Sequence, residues 1–181
     1  MIIIKSMSRK TPSFSQLINY INKGREKDDE YIFRHNIYSF RPHNITQEFR
    51  QNHESLKKRK DGNSLYHEII SIKFQQGYTK EQVRTILQDL TEKYVQVRAN
   101  NCLVYGVIHE QHNQIHAHLM ISSNELENSK PHYFSQDEFE QIKNHVRQYA
   151  YEKYPKLEQE EIKEKNKEKG KDNKKLKRNP K

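Results

Sequence analysis

The hydrophobic positions of this chain fall into short strand-like runs and longer helix-like stripes. Four short segments are apolar or alternate with period two, and they predict β-strands at 2–4, 66–74, 102–108 and 115–122. In the second segment His67 and Ser71 fall on one face, and Tyr66 and Ile70 fall on the other.

Three longer segments carry apolar residues at the i, i+3, i+4 spacing of amphipathic helices. The predicted helices start at Ser13 or Ser15, at Thr79 and at about Ser135, and they end at Gly24, Val97 and Tyr154. Residues 25–63 are polar and weakly patterned, so we expect irregular helix and loop there. Strands interleaved with long helices predict an α+β fold, a central antiparallel β-sheet with flanking helices that cover one face.

The composition divides the chain into a domain and a tail. Of its 181 residues only 32% are hydrophobic, below the roughly 45–50% of average globular domains. Residues 156–181 hold 11 Lys and Arg against 6 Asp and Glu, with only three aliphatic side chains, too few to offset the entropy of ordering the segment. We therefore predict one domain over 1–155 and a disordered or helical basic C-terminal tail. Such a tail would be a phosphate-binding arm, a solvated end or a linker to a further domain.

Charge and cysteine content narrow the function classes. The net charge of +9 agrees with a polyanionic partner, but it does not separate nucleic acid from a membrane surface. The chain has no run of about 18 apolar residues and no secretory signal, so we expect a cytoplasmic protein without a membrane segment. The single cysteine, Cys102, excludes an intramolecular disulfide and a cysteine-built zinc site.

Four of the ten histidines lie within residues 109–118, in the order H-E-Q-H-N-Q-I-H-A-H. His116 and His118 share one face of the last predicted strand, and a hairpin would place His109 beside them. Three imidazoles on one sheet face indicate a divalent metal site with coordination positions open for substrate oxygens. Three unconnected, half-buried histidines are the alternative, and His112 in the connection is expected to face solvent.

Three segments resemble, in the same order, the motifs of the plasmid relaxases in the HUH single-strand endonuclease superfamily. Residues 13–21, S-F-S-Q-L-I-N-Y-I, are similar to motif I, in which a tyrosine late in an N-terminal helix is the nucleophile. Residues 66–74, Y-H-E-I-I-S-I-K-F, are similar to motif II, and residues 107–122, V-I-H-E-Q-H-N-Q-I-H-A-H-L-M-I-S, to motif III. The resemblance covers about residues 1–150 and is closest to the MobA/MobL-like mobilisation proteins of the MOBP type.

Carried over residue by residue, the resemblance implies a catalytic site. It makes Tyr20 the nucleophile and Ser71 a residue that positions DNA. It makes His109, His116 and His118 the ligands of a divalent metal ion, Mn²⁺ or Mg²⁺, and three neutral imidazoles suit Mn²⁺ better because Mg²⁺ prefers oxygen.

The histidine motif departs from the family pattern at two positions. Gln111 and His112 stand where family members often carry Asp and Thr, and the Asp is associated with orienting a ligand. Glu110 is the candidate substitute for that Asp.

Two basic regions are candidates for contact with DNA. Lys57, Lys58, Arg59 and Lys60 precede the motif II strand, where we expect them to contact phosphates, with a solvated basic loop as the alternative. Upstream, arginines alternate with aromatic residues in a mix suited to stacking on bases and contacting phosphates of single strands: Arg25, Tyr31, Phe33, Arg34, Tyr38, Phe40 and Arg41.

The resemblance implies a DNA relaxase that nicks one strand at a transfer origin by metal-assisted tyrosine transesterification. The resulting 5′-phosphotyrosyl intermediate would serve conjugative mobilisation of a plasmid. The implied partners are single-stranded or supercoiled DNA at the transfer origin, relaxosome accessory proteins and a coupling protein.

Two alternatives stay open at the level of sequence. A rolling-circle replication initiator of the same superfamily would carry its nucleophile on the last helix, where Tyr151 is the candidate because Tyr149 falls on the apolar stripe. A basic accessory protein that binds single-stranded DNA without catalysis is the other.

Overall fold

A computed structural model of the chain describes residues 2–23, 31–57, 62–73, 77–111 and 114–157. The strands are β1 (Ile2–Arg9), β2 (Ile32–His35), β3 (Leu65–Lys73), β4 (Cys102–Gln111) and β5 (Gln114–Glu125). The helices are α1 (Phe14–Asn22), α2 (Pro42–Glu54), α3 (Lys80–Arg98) and α4 (Gln136–Lys153). Within the described ranges, no helix is long and apolar enough to cross a membrane. The predicted tail from 158 onwards and the predicted helix end at Gly24 lie outside the described residues.

The five strands form one antiparallel sheet in the order β1-β3-β5-β4-β2. Each strand predicted from the alternating pattern is present, and β1 extends five residues beyond its predicted end at Ile4. The α+β fold with a central antiparallel sheet and flanking helices is therefore confirmed.

Helices cover both faces of this sheet, whereas the pattern predicted helices on one face. On one face α3 and α4 pack against strand residues such as Ile70, Ala117 and Leu119. On the other face α1 and α2 pack against strand residues such as Tyr105 and Met120. Successive side chains of a strand point to opposite faces of the sheet. Neighbouring residues of one strand, such as Leu119 and Met120, therefore enter the cores on opposite faces.

The segment 25–63, expected to be irregular, contains β2 and α2 among its described residues. All four side chains of β2 are half-buried at the sheet edge, so the strand has no alternating signature. Helix α2 carries Pro42 in its first turn and buries only Ile45, Thr46 and Phe49. A stripe this narrow, embedded among polar residues, does not stand out in the sequence.

The predicted starts of the two long helices are confirmed. Thr79 caps α3 in a reciprocal capping box with Gln82, and Ser135 caps α4 in the same way with Glu138. Beyond α4, Leu157 is 1% exposed and packs in the core of the α3/α4 face. The core therefore continues into the first residues of what the composition assigned to the tail.

A buried ion pair ties β3 to α3. Glu68 is fully buried and accepts hydrogen bonds from Arg98 at 3.1 Å, from Ser6 at 2.8 Å and from the Tyr94 hydroxyl. The Arg98 guanidinium lies 4.9 Å from the ring centroid of Tyr66. Burial, followed by the nearby Glu68 carboxylate, raises the pKa of Tyr94 well above its usual value.

Close approach of β4 and β5 requires a glycine at position 106. A Cβ added to Gly106 would lie 2.4 Å from Leu119 Cδ2 and 2.9 Å from the backbone oxygen of His118. The second contact is with main chain, so a side chain at this position must push the two strands apart.

We predict that Gly106→Ala lowers the free energy of unfolding by about 1–3 kcal/mol, the usual cost of overpacking a core. Urea denaturation monitored by circular dichroism measures the change. Gln141→Ala, on the exposed surface of α4, is the control and should stay within about 0.5 kcal/mol of the parent. Equal stability of the two variants would show that the strands can separate without cost.

Candidate active site

The hairpin register brings the three predicted histidines together. His109 of β4 lies directly opposite His116 of β5, and His118 lies two residues further along the same face. The ring centroids are 5.5 Å apart for His109 and His116, 5.0 Å for His109 and His118, and 4.8 Å for His116 and His118. One ring nitrogen from each residue lies within 4.8 Å of the others, which is close enough for one metal ion to bind all three.

The hydrogen bonds of these rings leave nitrogen lone pairs for a metal. His109 Nε2 lies 2.6 Å from the carbonyl oxygen of Ile21, which can only accept, so Nε2 carries the proton and Nδ1 is left as a ligand. His118 Nδ1 lies 3.0 Å from His67 Nε2, which leaves His118 Nε2. Within the described part of the chain, His116 Nδ1 is buried without a hydrogen-bond partner. Three buried imidazoles, each with a ring nitrogen available as a ligand, fit a divalent metal ion.

The C-terminal end of α1 is fastened over the histidines. Ile21 contributes one of the last carbonyl groups of the helix, which have no partner within it, and His109 donates to that group. One residue further, the Asn22 side chain accepts a hydrogen bond of 2.8 Å from the Tyr105 hydroxyl. Since a helix C-terminus carries partial negative charge, this arrangement favours a cation at the site.

Tyr20 projects from the same turn of α1 toward the cluster. Its ring makes edge contacts with His67 and His118, each at a centroid distance of 5.7 Å. The side chain is 53% exposed, so a large substrate can reach the phenol. Its position combines contact with the histidine face and access from solvent.

Ser71 belongs to the same row of the sheet. It pairs with His116 across β3 and β5, just as His109 does across β4 and β5. Its side chain is 9% exposed and faces the α1 side, as the alternation predicted.

Lys57, the described member of the predicted basic cluster, lies away from the histidines. The Lys57 amide donates to the carbonyl of Ser129 at 3.0 Å, beside the end of β5 remote from His116. Lys57 is exposed there, so the structure does not bring it to the histidines. Three other predicted DNA contacts, Lys58, Arg59 and Lys60, lie outside the described residues, as does His112.

Glu110 does not take the place of the missing Asp, so that expectation was wrong. Its carboxylate forms ion pairs with Lys80 and Arg84 of α3, on the face opposite the histidines. Strand alternation dictates this orientation, because Glu110 directly follows His109. The hydrogen bond from Lys80, followed by that from Arg84, lowers the pKa of the Glu110 carboxyl.

His67 is the site residue that sequence reasoning missed. It is 3% exposed, and its ring centroid lies 5.1 Å from that of His118, with the two ring planes tilted by 31°, in addition to the hydrogen bond between them. The available signal was its place on the same β3 face as Ser71. The contact itself depends on the register between β3 and β5, which the sequence does not display.

The tyrosines of α4 lie on the other side of the sheet. Tyr149 and Tyr154 both donate hydrogen bonds to Asp89 of α3, and Tyr151 packs against the α3/α4 core. The histidines face α1, so the sheet separates Tyr151 from them.

Burial keeps the histidines of the site uncharged near neutral pH. Burial, followed by the charge of Arg9, lowers the pKa of His67 to about 4. Burial, followed by the neighbouring His116, His109 and His67, lowers the pKa of His118 to about 3. Neutral imidazole is the form that binds a metal ion.

We predict that the metal-free protein loses stability as the pH falls from about 6.5 to 4. In this window the unfolded chain protonates His67 and His118 while the folded chain does not, so each contributes a slope of at most about 1.4 kcal/mol per pH unit. Urea midpoints measured in EDTA across this range test the expectation. His67→Phe should flatten the slope, and an unchanged slope would contradict it.

The fold of this chain is similar to that of relaxase domains of known structure. The chain superposes on the MobM relaxase domain (MOBV; Mob_Pre) bound to 26-nucleotide pMV158 oriT DNA with a TM-score of 0.59 and 19% identity, covering 84% of this chain and 87% of that one. The Mn-bound crystal structure of MobM with 22-nucleotide pMV158 oriT DNA at pH 5.5 gives a TM-score of 0.60 at 16% identity, covering 84% and 86%. A structure described as "Molecular Basis of Vancomycin Resistance Transfer in Staphylococcus aureus" gives 0.55 at 12% identity, covering 84% and 93%.

At these identities the structural matches establish the fold. A search of curated protein sequences found no match. The family model "Relaxase: MobA/VirD2-like, nuclease domain" matches residues 20–154, well over half of the chain, and includes Tyr20 and all three histidines. The chain therefore belongs to the MobA/VirD2-like relaxases and contains their nuclease domain, that of an enzyme that nicks DNA.

Proposed function

We propose that this relaxase cleaves one DNA strand by attack of Tyr20 on a phosphodiester held beside His109, His116 and His118. The observation that carries the proposal is the contact of the exposed Tyr20 ring with His118, a member of the histidine cluster. Nucleophile and histidines come from different elements, and the hydrogen bond from His109 to α1 holds them in place.

The three histidines are proposed to hold a divalent metal ion, with Mn²⁺ fitting the nitrogen ligands better than Mg²⁺. The MobM structures described as Mn-bound support this choice by analogy. When bound, the ion supplies positive charge that polarises the nonbridging oxygens of the phosphate.

Tyr20 suits a reversible strand transfer. Its phenol loses a proton and its oxygen forms a bond to phosphorus, while the bond from phosphorus to the 3′-oxygen breaks and that oxygen takes up a proton. The product is a 5′-phosphotyrosyl link, which preserves the phosphodiester energy for rejoining. Because a phenol has a pKa of about 10, phenolate leaves more readily than an alkoxide when the reaction reverses.

The substrate in this proposal is the transfer origin of a plasmid, presented as a single strand or by supercoiling, in the cytoplasm. The MobM relatives were solved with oriT DNA, which supports this substrate class. Ser71, in the same row as His116, would position the strand next to the metal. Relaxosome accessory proteins and a coupling protein are the proposed partners for conjugative mobilisation. Lys57, which lies away from the histidines, would contact phosphates, and the same role is proposed for Lys58, Arg59 and Lys60.

His67 takes the role that the family pattern gives to an Asp. A neutral His67 accepts the Nδ1 proton of His118, which fixes the tautomer whose Nε2 lone pair is free for the metal. It also contacts Tyr20, so it supports both the ligand and the nucleophile.

We predict that His67→Phe weakens Mn²⁺ binding about 10- to 100-fold, the usual effect of removing the partner of a metal-binding histidine. His67→Gln, whose side-chain oxygen can accept the same proton, should recover part of the affinity. Isothermal titration calorimetry measures both, with His116→Ala and His118→Ala as variants expected to abolish binding. Unchanged affinity in His67→Phe would remove this role.

The proposed mechanism predicts a covalent intermediate between Tyr20 and DNA. With Mn²⁺ and single-stranded oligonucleotides from its own genetic neighbourhood, the protein should form an adduct that survives denaturation. Tyr20→Phe should abolish the adduct because it removes only the attacking oxygen, and denaturing gel electrophoresis with labelled DNA detects it.

Tyr151→Phe is the matched control, since it makes the same change on the other side of the sheet. An adduct lost in Tyr151→Phe and retained in Tyr20→Phe would favour the replication initiator and overturn the proposal. Tight binding without any adduct would favour a non-catalytic accessory protein.

A further inference from the structure

The loop between β2 and α2 is held by several hydrogen bonds although it lies at the surface. Asn36 adopts a left-handed backbone conformation with φ 57°, and its side-chain amide donates to the carbonyl oxygens of Asn100 at 2.9 Å and Cys102 at 3.0 Å. The Glu48 carboxylate of α2 accepts hydrogen bonds from the backbone amides of Tyr38 at 3.1 Å and Ser39 at 2.8 Å. The loop is therefore fastened at both ends.

The loop between β2 and α2 presents two aromatic rings to solvent. Tyr38 is 89% exposed and Phe40 is 76% exposed, the largest exposed fractions among the large hydrophobic side chains described. The Arg34 guanidinium lies 5.0 Å from the centroid of the Phe40 ring, so a cation accompanies the aromatic surface. A fixed, exposed aromatic pair beside a cation is the arrangement with which proteins stack unpaired bases.

Tyr38 also borders a cavity. The cavity has a volume of about 540 Å³. Its lining also includes Leu103, Leu126, Gln51 and Asn52, together with the acidic residues Glu48 and Glu127. This volume lies within the roughly 300–1,000 Å³ typical of small-molecule sites, so a nucleobase fits it. Apolar walls with side-chain amides suit a base, whose faces are apolar and whose edges form hydrogen bonds.

The position of the cavity connects it with the histidine site. Leu103 and His109 lie on the same face of β4, six residues apart, which corresponds to about 20 Å along a strand. At the rise of about 3.4 Å per nucleotide of a stacked strand, this distance corresponds to about six nucleotides. A single strand of about six nucleotides is therefore long enough to reach from one place to the other.

Basic side chains lie near the cavity in sequence, although Glu48 and Glu127 line the cavity itself. Arg41 is exposed in the residue directly after Phe40, and Lys57 is exposed two residues beyond Ser55, which lines the cavity. With Arg34, these side chains offer phosphate contacts on both sides of the aromatic pair.

We propose that Tyr38 and Phe40 form a stacking platform for unpaired bases of the DNA strand, beside the cavity at the end of β4 remote from His109. Arg34, Arg41 and Lys57 contact the backbone of that strand. The platform rests on the proposed function, because it takes the relaxase substrate as its ligand. It adds a second binding site, separate from the histidines, that holds the strand by its bases.

Binding is measured with fluorescein-labelled single-stranded oligonucleotides of mixed sequence, by anisotropy, in EDTA and in the Tyr20→Phe background, so that no cleavage contributes. Tyr38→Ala and Phe40→Ala should each weaken binding by about five- to a hundredfold, the effect of losing one stacked base. Tyr133→Ala, at a side chain that is 67% exposed outside this loop, is the matched control and should bind like the parent. Equal affinity of all variants overturns the platform.

A spectroscopic test reports stacking itself. The chain contains no Trp, so Tyr38→Trp and Tyr133→Trp each introduce a single tryptophan fluorophore. Single-stranded DNA should quench the emission of Tyr38→Trp and leave that of Tyr133→Trp unchanged. Emission of Tyr38→Trp that does not respond to bound DNA contradicts the proposal and leaves the loop as a contact for a protein partner.

The stacking platform and the relaxase mechanism at Tyr20 can each be overturned without the other. An adduct at Tyr20 whose DNA affinity is insensitive to Tyr38→Ala overturns the platform and leaves the relaxase mechanism intact. Quenching of Tyr38→Trp in a protein that forms no adduct supports the platform and overturns the mechanism.

Discussion

The register of the β4–β5 pair is the constraint on which the rest of the site depends. With His109 opposite His116, three imidazoles converge on the face that α1 covers, while Ala117 and Leu119 enter the core of the other face. A slip of one residue would exchange the two faces of β5, burying histidines in the core and exposing its apolar row. The energy of core packing therefore also fixes the relative positions of the three histidines, and the absence of a side chain at Gly106 allows the strands to approach closely enough.

The C-terminal end of α1 links the fold to the proposed chemistry. The helix leaves the Ile21 carbonyl without an internal partner, and His109 donates to it. This one bond anchors the helix, fixes the tautomer of a proposed ligand and sets Tyr20 beside His118. The proposed nucleophile, Tyr20, thus has a defined position relative to the three histidines although its own side chain is half exposed.

The parts of this arrangement that are local in sequence, including the hairpin, could be predicted, and those that depend on the register of strands distant in sequence could not. Two-residue alternation placed His116 and His118 on one face, and the hairpin placed His109 beside them. Applied to Glu110, the same alternation would have shown that it faces away. The contact between His67 and His118 joins β3 to β5 across 51 positions, so no local pattern reveals it. Tyr20 was found through its resemblance to a relaxase motif, since its spacing alone also suits an aromatic residue of an amphipathic helix.

We propose that three histidines of one sheet face bind a single divalent ion next to Tyr20. Electron spin-echo envelope modulation spectroscopy of the protein with one equivalent of Mn²⁺ counts the coordinated imidazole nitrogens directly. Three such nitrogens are expected in the parent, and two in any His116→Ala protein that retains the ion. A bound Mn²⁺ ion with no coordinated imidazole, or a count unchanged in His116→Ala, would contradict it.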